Sequence, residues 1–213
     1  MKSRIVVMVS GNGTNLQALI DTVKNGGVEA SIVFVLSSNP AAFALKRAEA
    51  AGIPALTFPY RRDPSLGRVE SRRLYDRTIA DAIQGFSPDY IFLLGWMRIL
   101  GGEFTERFPG KIVNLHPALP GAFPGTHAIE RAWDACARGE IGESGVMIHF
   151  VPDEGVDSGP VIDFETVAMR KDESLDVFEA RMHAVEQALV VRAAARLVGH
   201  ATRHCGKTTK EGT

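Results

Sequence analysis

Cysteine is scarce in this chain, and the little there is carries no pattern. Two thiols, Cys136 and Cys205, stand among 213 residues, with no Cys-x-x-Cys and no metal-ligand spacing. That argues against a disulfide framework and for a reducing compartment, and it suggests no metal. An excess of one charge is also missing, since 24 Lys+Arg face 25 Asp+Glu. The basic surplus of a nucleic-acid-binding domain is absent. No apolar window is long enough to span a bilayer. Met1-Lys2-Ser3-Arg4 runs straight into a short apolar stretch, too short for a secretory h-region and without a small-residue cleavage site. The Gly-rich turn after the first apolar run carries no Gly-Lys-Ser/Thr of a phosphate loop, and the chain shows no internal repeat and no linker. These absences predict a soluble cytoplasmic protein with no nucleic-acid and no membrane partner. They leave the oligomeric state open, a homodimer included.

What the chain does have is a repeated strand, turn and helix. Ile5-Val6-Val7-Met8-Val9 is a continuous apolar run, as expected of a strand buried on both faces. Leu16, Leu19, Ile20 and Val23 then recur at helical spacing, and Gly26-Gly27 closes that helix. Strands are predicted at 31–36, 53–58, 90–94 and 111–115, with helices at 40–51 and 70–83. The alternation argues for an α/β fold, a Rossmann-like, mostly parallel twisted sheet with helices on both faces. The second half departs from it. Residues 146–151 and 161–168 read as two strands with no helix between them, an antiparallel C-terminal extension. A helix at 128–138 precedes them and a long helix from Ser174 follows, with Asp176 in its first turn. The expectation is one domain over residues 1–199 and a polar, mobile tail over 200–213 that holds Cys205.

Three segments offer chemistry. Gly11, Asn12, Gly13, Thr14 and Asn15 form a turn between the first strand and the first helix, where free N–H groups and the helix dipole favour an anion. A dinucleotide fingerprint would need glycine where Leu16 stands and an acid after the second strand, which ends in Ser37-Ser38-Asn39. One phosphomonoester fits better, and a plain tight turn with a capped helix fits the segment equally. Next come Asn114 and His116 in Lys111-Ile112-Val113-Asn114-Leu115-His116-Pro117. They are two apart, so a strand points both to one face, at the carboxyl end where ligands bind in open α/β sheets. A Gly/Pro-rich loop, Pro120-Gly121-Ala122-Phe123-Pro124-Gly125, follows and is suited to shaping a pocket wall. The third is Asp157, among Gly155, Ser158 and Gly159, where its bland role is that of a turn aspartate. An amide, an imidazole and a carboxylate suit acyl chemistry, in which an oxyanion is stabilised and protons move. Asp157 would favour the charged ring by raising the His116 pKa. His127 and His149 are polar candidates set behind these three. Apolar residues around Arg98 in Gly95-Trp96-Met97-Arg98-Ile99-Leu100 read as core packing or as the wall of a flat pocket.

In order along the chain, the Ser10-to-Asn15 turn, Ser71-Arg72 with Tyr75-Asp76, Gly95 through Leu100, Asn114-Leu115-His116-Pro117, Phe123-Pro124-Gly125 and Asp153 through Pro160 resemble the phosphoribosylglycinamide formyltransferases. These are folate-dependent enzymes of purine biosynthesis within the wider formyltransferase superfamily. The resemblance runs from Arg4 to about Gly199. It implies transfer of a formyl group from the co-substrate 10-formyltetrahydrofolate to the amine of 5'-phosphoribosylglycinamide, with no metal. It implies that Asn114, His116 and Asp157 are catalytic and that Gly11, Asn12, Gly13, Thr14 and Asn15 hold the substrate phosphate. Arg72, Met97, Arg98, Ile99, Leu100, Asn114, Asp153, Glu154, Gly155, Val156 and Asp157 would bind the folate. Glu186 would contact the glycinamide. There is one departure: many members carry Ser-Leu-Leu-Pro-Lys after the His-Pro, where this chain has Ala118-Leu119-Pro120-Gly121-Ala122 and no lysine. The related hydrolases would be expected to carry an N-terminal regulatory domain, and the transfer-RNA formyltransferases a C-terminal one. A non-catalytic nucleotide sensor on the same fold is the alternative from another class.

Overall fold

The computed structural model describes residues 2–170 and 172–205. Seven strands make up one sheet: β1 (Ser3–Val9), β2 (Ala30–Ser37), β3 (Ala55–Thr57), β4 (Tyr90–Leu93), β5 (Ile112–His116), β6 (Glu143–Phe150) and β7 (Val161–Ala168). Among the described residues six helices accompany them: α1 (Thr14–Lys24), α2 (Phe43–Ala50), α3 (Arg68–Gln84), α4 (Gly102–Thr105), α5 (Ala128–Ala137) and α6 (Leu175–Cys205). The spatial order is β3-β2-β1-β4-β5-β6-β7. The first five strands pair in parallel, while β6 and β7 are antiparallel to their neighbours.

The apolar run of β1 explains its central place. Ile5, Val7 and Val9 enter one core with Leu16, Leu19 and Ile20 of α1 and Phe178, Met182 and Leu189 of α6. Val6 and Met8 enter the opposite core with Ile79, Ala80 and Ile83 of α3 and Phe104 of α4. Side-chain alternation on a strand makes this two-sided burial possible. Each fully buried Leu or Ile is worth roughly 1.5–3 kcal/mol of transfer free energy.

Three boundaries differ from expectation. Pro40 does not open α2, because the Asn39 Oδ1 accepts the Ala41 N–H at 3.0 Å and holds a turn there, so the helix starts at Phe43. The short α4 carries too few residues to show a period. The last helix does not stop near Gly199 but continues to Cys205, so that cysteine belongs to α6 and not to a tail. Residues 206–213, the rest of the expected tail, lie outside the described residues. Ser174 does cap α6, its Oγ accepting the Val177 N–H at 3.4 Å.

The sheet order positions the site. From β1 the chain moves outward to β2 and β3, then returns to pair β4 on the other side of β1. The connections that leave the carboxyl ends of β1 and β4 therefore run to opposite sides, and a crevice opens at that switch point. The turn after β1, the loop after β4 and the end of β5 all face it.

Candidate active site

The turn after β1 owes its shape to glycine and to α2. Gly13 has φ +77°, and a Cβ there would stand 2.6 Å from the Ala44 Cβ and 2.9 Å from its Cα. The Gly11 carbonyl accepts the Ala44 N–H at 3.2 Å. From the outside Arg47 donates to the Asn12 carbonyl at 3.0 Å and to its side-chain oxygen at 2.9 Å. No side chain caps α1, which leaves its first N–H groups open to an anion. On the inner side, Asn15 Nδ2 donates to Glu186 Oε2 at 3.1 Å, and the Asn15 Oδ1 is buried without a hydrogen-bond partner. Glu186 is itself buried, and its Oε2 stands 2.9 Å from His183 Nδ1. That hydrogen bond holds the His183 pKa above its ordinary value.

At the end of β5, Asn114 and His116 share a face, and Asp157 reaches both from the loop between β6 and β7. Asn114 Nδ2 donates to Asp157 Oδ1 at 3.0 Å. His116 Nδ1 lies 3.3 Å from Asp157 Oδ2, which also accepts the Gly125 N–H at 2.8 Å. His116 Nε2 faces the Phe123 carbonyl at 3.1 Å. His149 completes the group. Its Nδ1 lies 2.9 Å from the Phe150 carbonyl, which fixes a proton on Nδ1 and leaves Nε2 to accept from Asn114 at 3.1 Å. That nitrogen also lies 3.5 Å from Asp157 Oδ1.

These contacts set the electrostatics. Burial pushes the His116 pKa down and outweighs the upward pull of Asp157 and the Phe123 carbonyl. The expected net rise from Asp157 is thus reversed, because the ring is only 4% exposed and water cannot stabilise its charge. Both ring nitrogens nevertheless face acceptors, an arrangement that only the doubly protonated ring satisfies in full. Burial also pushes the Asp157 carboxyl up, but its contacts with His149, the Gly125 N–H and His116 together hold it below the ordinary carboxylate range. Asp157 has φ +49°, so it is both a turn residue and a member of the cluster.

The loop after β4 splits its side chains. Trp96 and Leu100 turn into the core, whereas Met97 and Ile99 are 69% and 53% exposed. Arg98 stacks on Tyr60, its guanidinium 4.0 Å from the ring centroid. Asp153 Oδ1 accepts the Gly155 N–H at 2.7 Å. Glu154 does not turn inward: its Oε2 accepts from Arg72 Nη2 at 3.1 Å, and its Oε1 accepts the Gly102 N–H at 3.1 Å.

One cavity of about 730 Å³ gathers these parts. Its wall includes Gly11 to Asn15, Met97 to Leu100, Asn114, His116, Asp153, Gly155 to Asp157 and Glu186. Arg72 and Glu154 are not on that wall; they pair with each other at a partly exposed site. His127, His149 and His183 are on it.

Residues 3–194 match the formyl transferase family. The chain belongs to that family. It is 39% identical over 208 residues to phosphoribosylglycinamide formyltransferase of Schizosaccharomyces pombe, covering 93% of this chain and 98% of that one. Against the trifunctional purine biosynthetic protein adenosine-3 of Drosophila melanogaster it is 37% identical over 199 residues, which is 92% of this chain and 14% of the much longer relative. The crystal structure of glycinamide ribonucleotide transformylase 1 from Geobacillus kaustophilus is similar with a TM-score of 0.82 at 36% identity, over 93% of this chain and all of the other. The Rossmann-like α/β fold and the enzyme class read from the sequence agree with these relatives.

Two residues of this formyl transferase escaped the sequence reading. His183 gave no signal beyond a polar residue three before Glu186, a helical spacing that puts both on one face. Arg131, which binds three backbone carbonyls beside His116, gave none, because nothing local to α5 reveals what it reaches. Among the described residues no group of three or more His, Cys, Asp or Glu could hold a metal ion, and no helix is long and apolar enough to cross a membrane.

Proposed function

We propose that this formyl transferase moves the formyl group of 10-formyltetrahydrofolate to the amine of 5'-phosphoribosylglycinamide, as a cytoplasmic step of purine biosynthesis. One observation carries the reading. The turn after β1 and the Asn114, His116 and Asp157 cluster open on the same cavity, whose wall also holds the buried Glu186 carboxylate bonded to Asn15. A volume of about 730 Å³ is in the range that small-molecule sites occupy.

In this reading Gly11 to Asn15 take the phosphate on backbone N–H groups, and Glu186 with the unpartnered Asn15 Oδ1 receives N–H or O–H donors of the ribonucleotide. Met97, Arg98, Ile99, Leu100, Asp153, Gly155 and Val156 line the folate side. Arg72 and Glu154 support that side through the Ile99 carbonyl and the Gly102 N–H.

The amine nitrogen attacks the formyl carbon, forming a C–N bond, and the formyl oxygen becomes anionic. Asn114 supplies an N–H to that oxygen. Both of its N–H groups are engaged beforehand, by Asp157 and His149, so the oxygen takes one over as charge develops. The attacking nitrogen loses a proton, the bond to the folate nitrogen breaks, and that nitrogen gains a proton. His116 is suited to the transfer, because burial opposes its charge while acceptors at both nitrogens favour it. Developing negative charge tips that balance towards the protonated ring. A lost oxyanion donor costs about 3–4 kcal/mol of barrier.

The decisive assay mixes the protein with glycinamide ribonucleotide and 10-formyl-5,8-dideazafolate and follows the absorbance of the deformylated folate. Turnover is expected only with both present. No transfer, or equal transfer to glycinamide lacking the phosphoribosyl group, would overturn the assignment. Sedimentation of the working enzyme decides between monomer and homodimer.

A further inference from the structure

Arg131 stands in the first turn of α5, where the positive end of the helix dipole disfavours a cation. Its guanidinium bends back over that end. Nη2 donates to the Phe123 carbonyl at 2.6 Å and to the Pro124 carbonyl at 2.7 Å, and Nε donates to the His127 carbonyl at 3.3 Å. The same group lies 5.9 Å from the Phe123 ring centroid. One side chain thus ties both ends of a five-residue segment.

That segment cannot hold its shape unaided. Phe123, Gly125 and His127 have φ of +45°, +82° and +57°. Only the glycine adopts that region at no cost, and a non-glycine residue there persists when its surroundings over-determine it. The segment also touches the cluster twice, through the Phe123 carbonyl at His116 Nε2 and through the Gly125 N–H at Asp157 Oδ2. Phe123 O is therefore shared by Arg131 and His116. Arg131 itself is not on the cavity wall.

We propose that Arg131 is a positioning residue for formyl transfer, holding residues 123–127 so that the Phe123 carbonyl stays on the His116 ring and the Gly125 N–H stays on Asp157. The inference rests on the proposed transferase reading for its kinetic arm only. The charged or titratable groups that act on His116 are Asp157, His149 and Arg131. Releasing the loop lets water reach the ring, and because burial is the largest cause of its lowered pKa, the titration midpoint rises despite the lost Phe123 carbonyl contact.

The test uses Arg131→Ala and Arg131→Lys in the full chain, with steady-state kinetics and an NMR titration of His116. For the alanine variant kcat is expected to fall roughly 10- to 100-fold, with KM for both substrates little changed. Its His116 midpoint should move to higher pH. Lysine keeps the charge but cannot span three carbonyls, so it should give intermediate values of both. Should the alanine variant fail to fold, the lysine variant carries the same two readouts. An unchanged kcat overturns the proposal. So does a lowered kcat with an unmoved His116 midpoint, which would make Arg131 structural only, or a lysine variant equal to the parent in both. If the parent transfers no formyl group, the proposed function fails, while the titration still reports on Arg131.

Discussion

Two loops at the carboxyl ends of the strands that flank β4 are clamped in the same way and held by different physics. After β1, Arg47 of α2 grips Asn12; after β5, Arg131 of α5 grips Phe123, Pro124 and His127. In the first loop the left-handed position belongs to Gly13, and Ala44 leaves no room for a Cβ. Its shape follows from backbone and packing. In the second loop two of the four left-handed residues, Phe123 and His127, are not glycine. Its shape is imposed by side chains that contact it. A cradle for a fixed anion suits the first solution. A loop that shares a carbonyl with a proton-handling ring suits the second.

The largest effect that tests this division is at His116. His116→Ala should lower kcat about 10³-fold, as loss of a general acid or base does, while ribonucleotide affinity by calorimetry and the melting temperature stay close to those of the parent. A matching loss of affinity would merge the two regions. Next is Gly13→Ala. The left-handed backbone and the 2.6 Å approach to Ala44 together predict a loss of about 2–4 kcal/mol in denaturant unfolding, with weakened ribonucleotide binding. Turnover at saturating substrate should survive in the folded fraction. Unchanged stability would mean that α2 yields and that the first loop is not fixed by packing.

The sequence was legible where local chemistry decides. The apolar run of β1, the Ser174 cap and the two-residue spacing of Asn114 and His116 each follow from a few adjacent residues. The cluster itself was legible because β5 and the loop bearing Asp157 carry polar residues where the neighbouring strands are apolar. What was not legible depends on distant partners. Arg72 and Glu154 are 82 residues apart, and only the fold shows that they quench each other outside the cavity. His149 gave no sign that its Nε2 would meet Asn114, a register set by the antiparallel pairing of β5 and β6. The fall in the His116 pKa was misjudged for a related reason. The carboxylate beside the ring could be inferred from sequence, but the depth of its burial could not.

A smaller effect separates the two sides of the cavity by their histidines. His116 is held below its ordinary value of 6.5 by burial, and His183 above it by the hydrogen bond to Glu186. The signs oppose. The neutral His116 ring contributes stability that is present above about pH 6.5 and is lost as pH falls below it, because only the unfolded ring then takes up a proton. The charged His183 ring contributes stability that is full below about pH 6.5 and is lost as pH rises through its raised value. NMR titration should therefore give midpoints on either side of 6.5. Asp157→Asn should lower the His116 midpoint further, and Glu186→Gln should lower that of His183. Equal midpoints in the parent would remove the electrostatic contrast.

The smallest effect is the sharpest test of the backbone argument. His127 sits at φ +57° at the start of α5, its side chain 75% exposed and 3.1 Å from Glu130. Replacing it with glycine relieves a left-handed cost of about 1–2 kcal/mol. The same change adds about 0.4–1 kcal/mol of unfolded-state freedom and forfeits an exposed pair worth about 0–1 kcal/mol. These terms nearly cancel, so His127→Gly should leave unfolding free energy within about 0.5 kcal/mol of the parent, where Gly13→Ala costs several times more. A loss well above 1 kcal/mol would show that the His127 side chain, and not the Arg131 clamp on its carbonyl, secures that end of the loop.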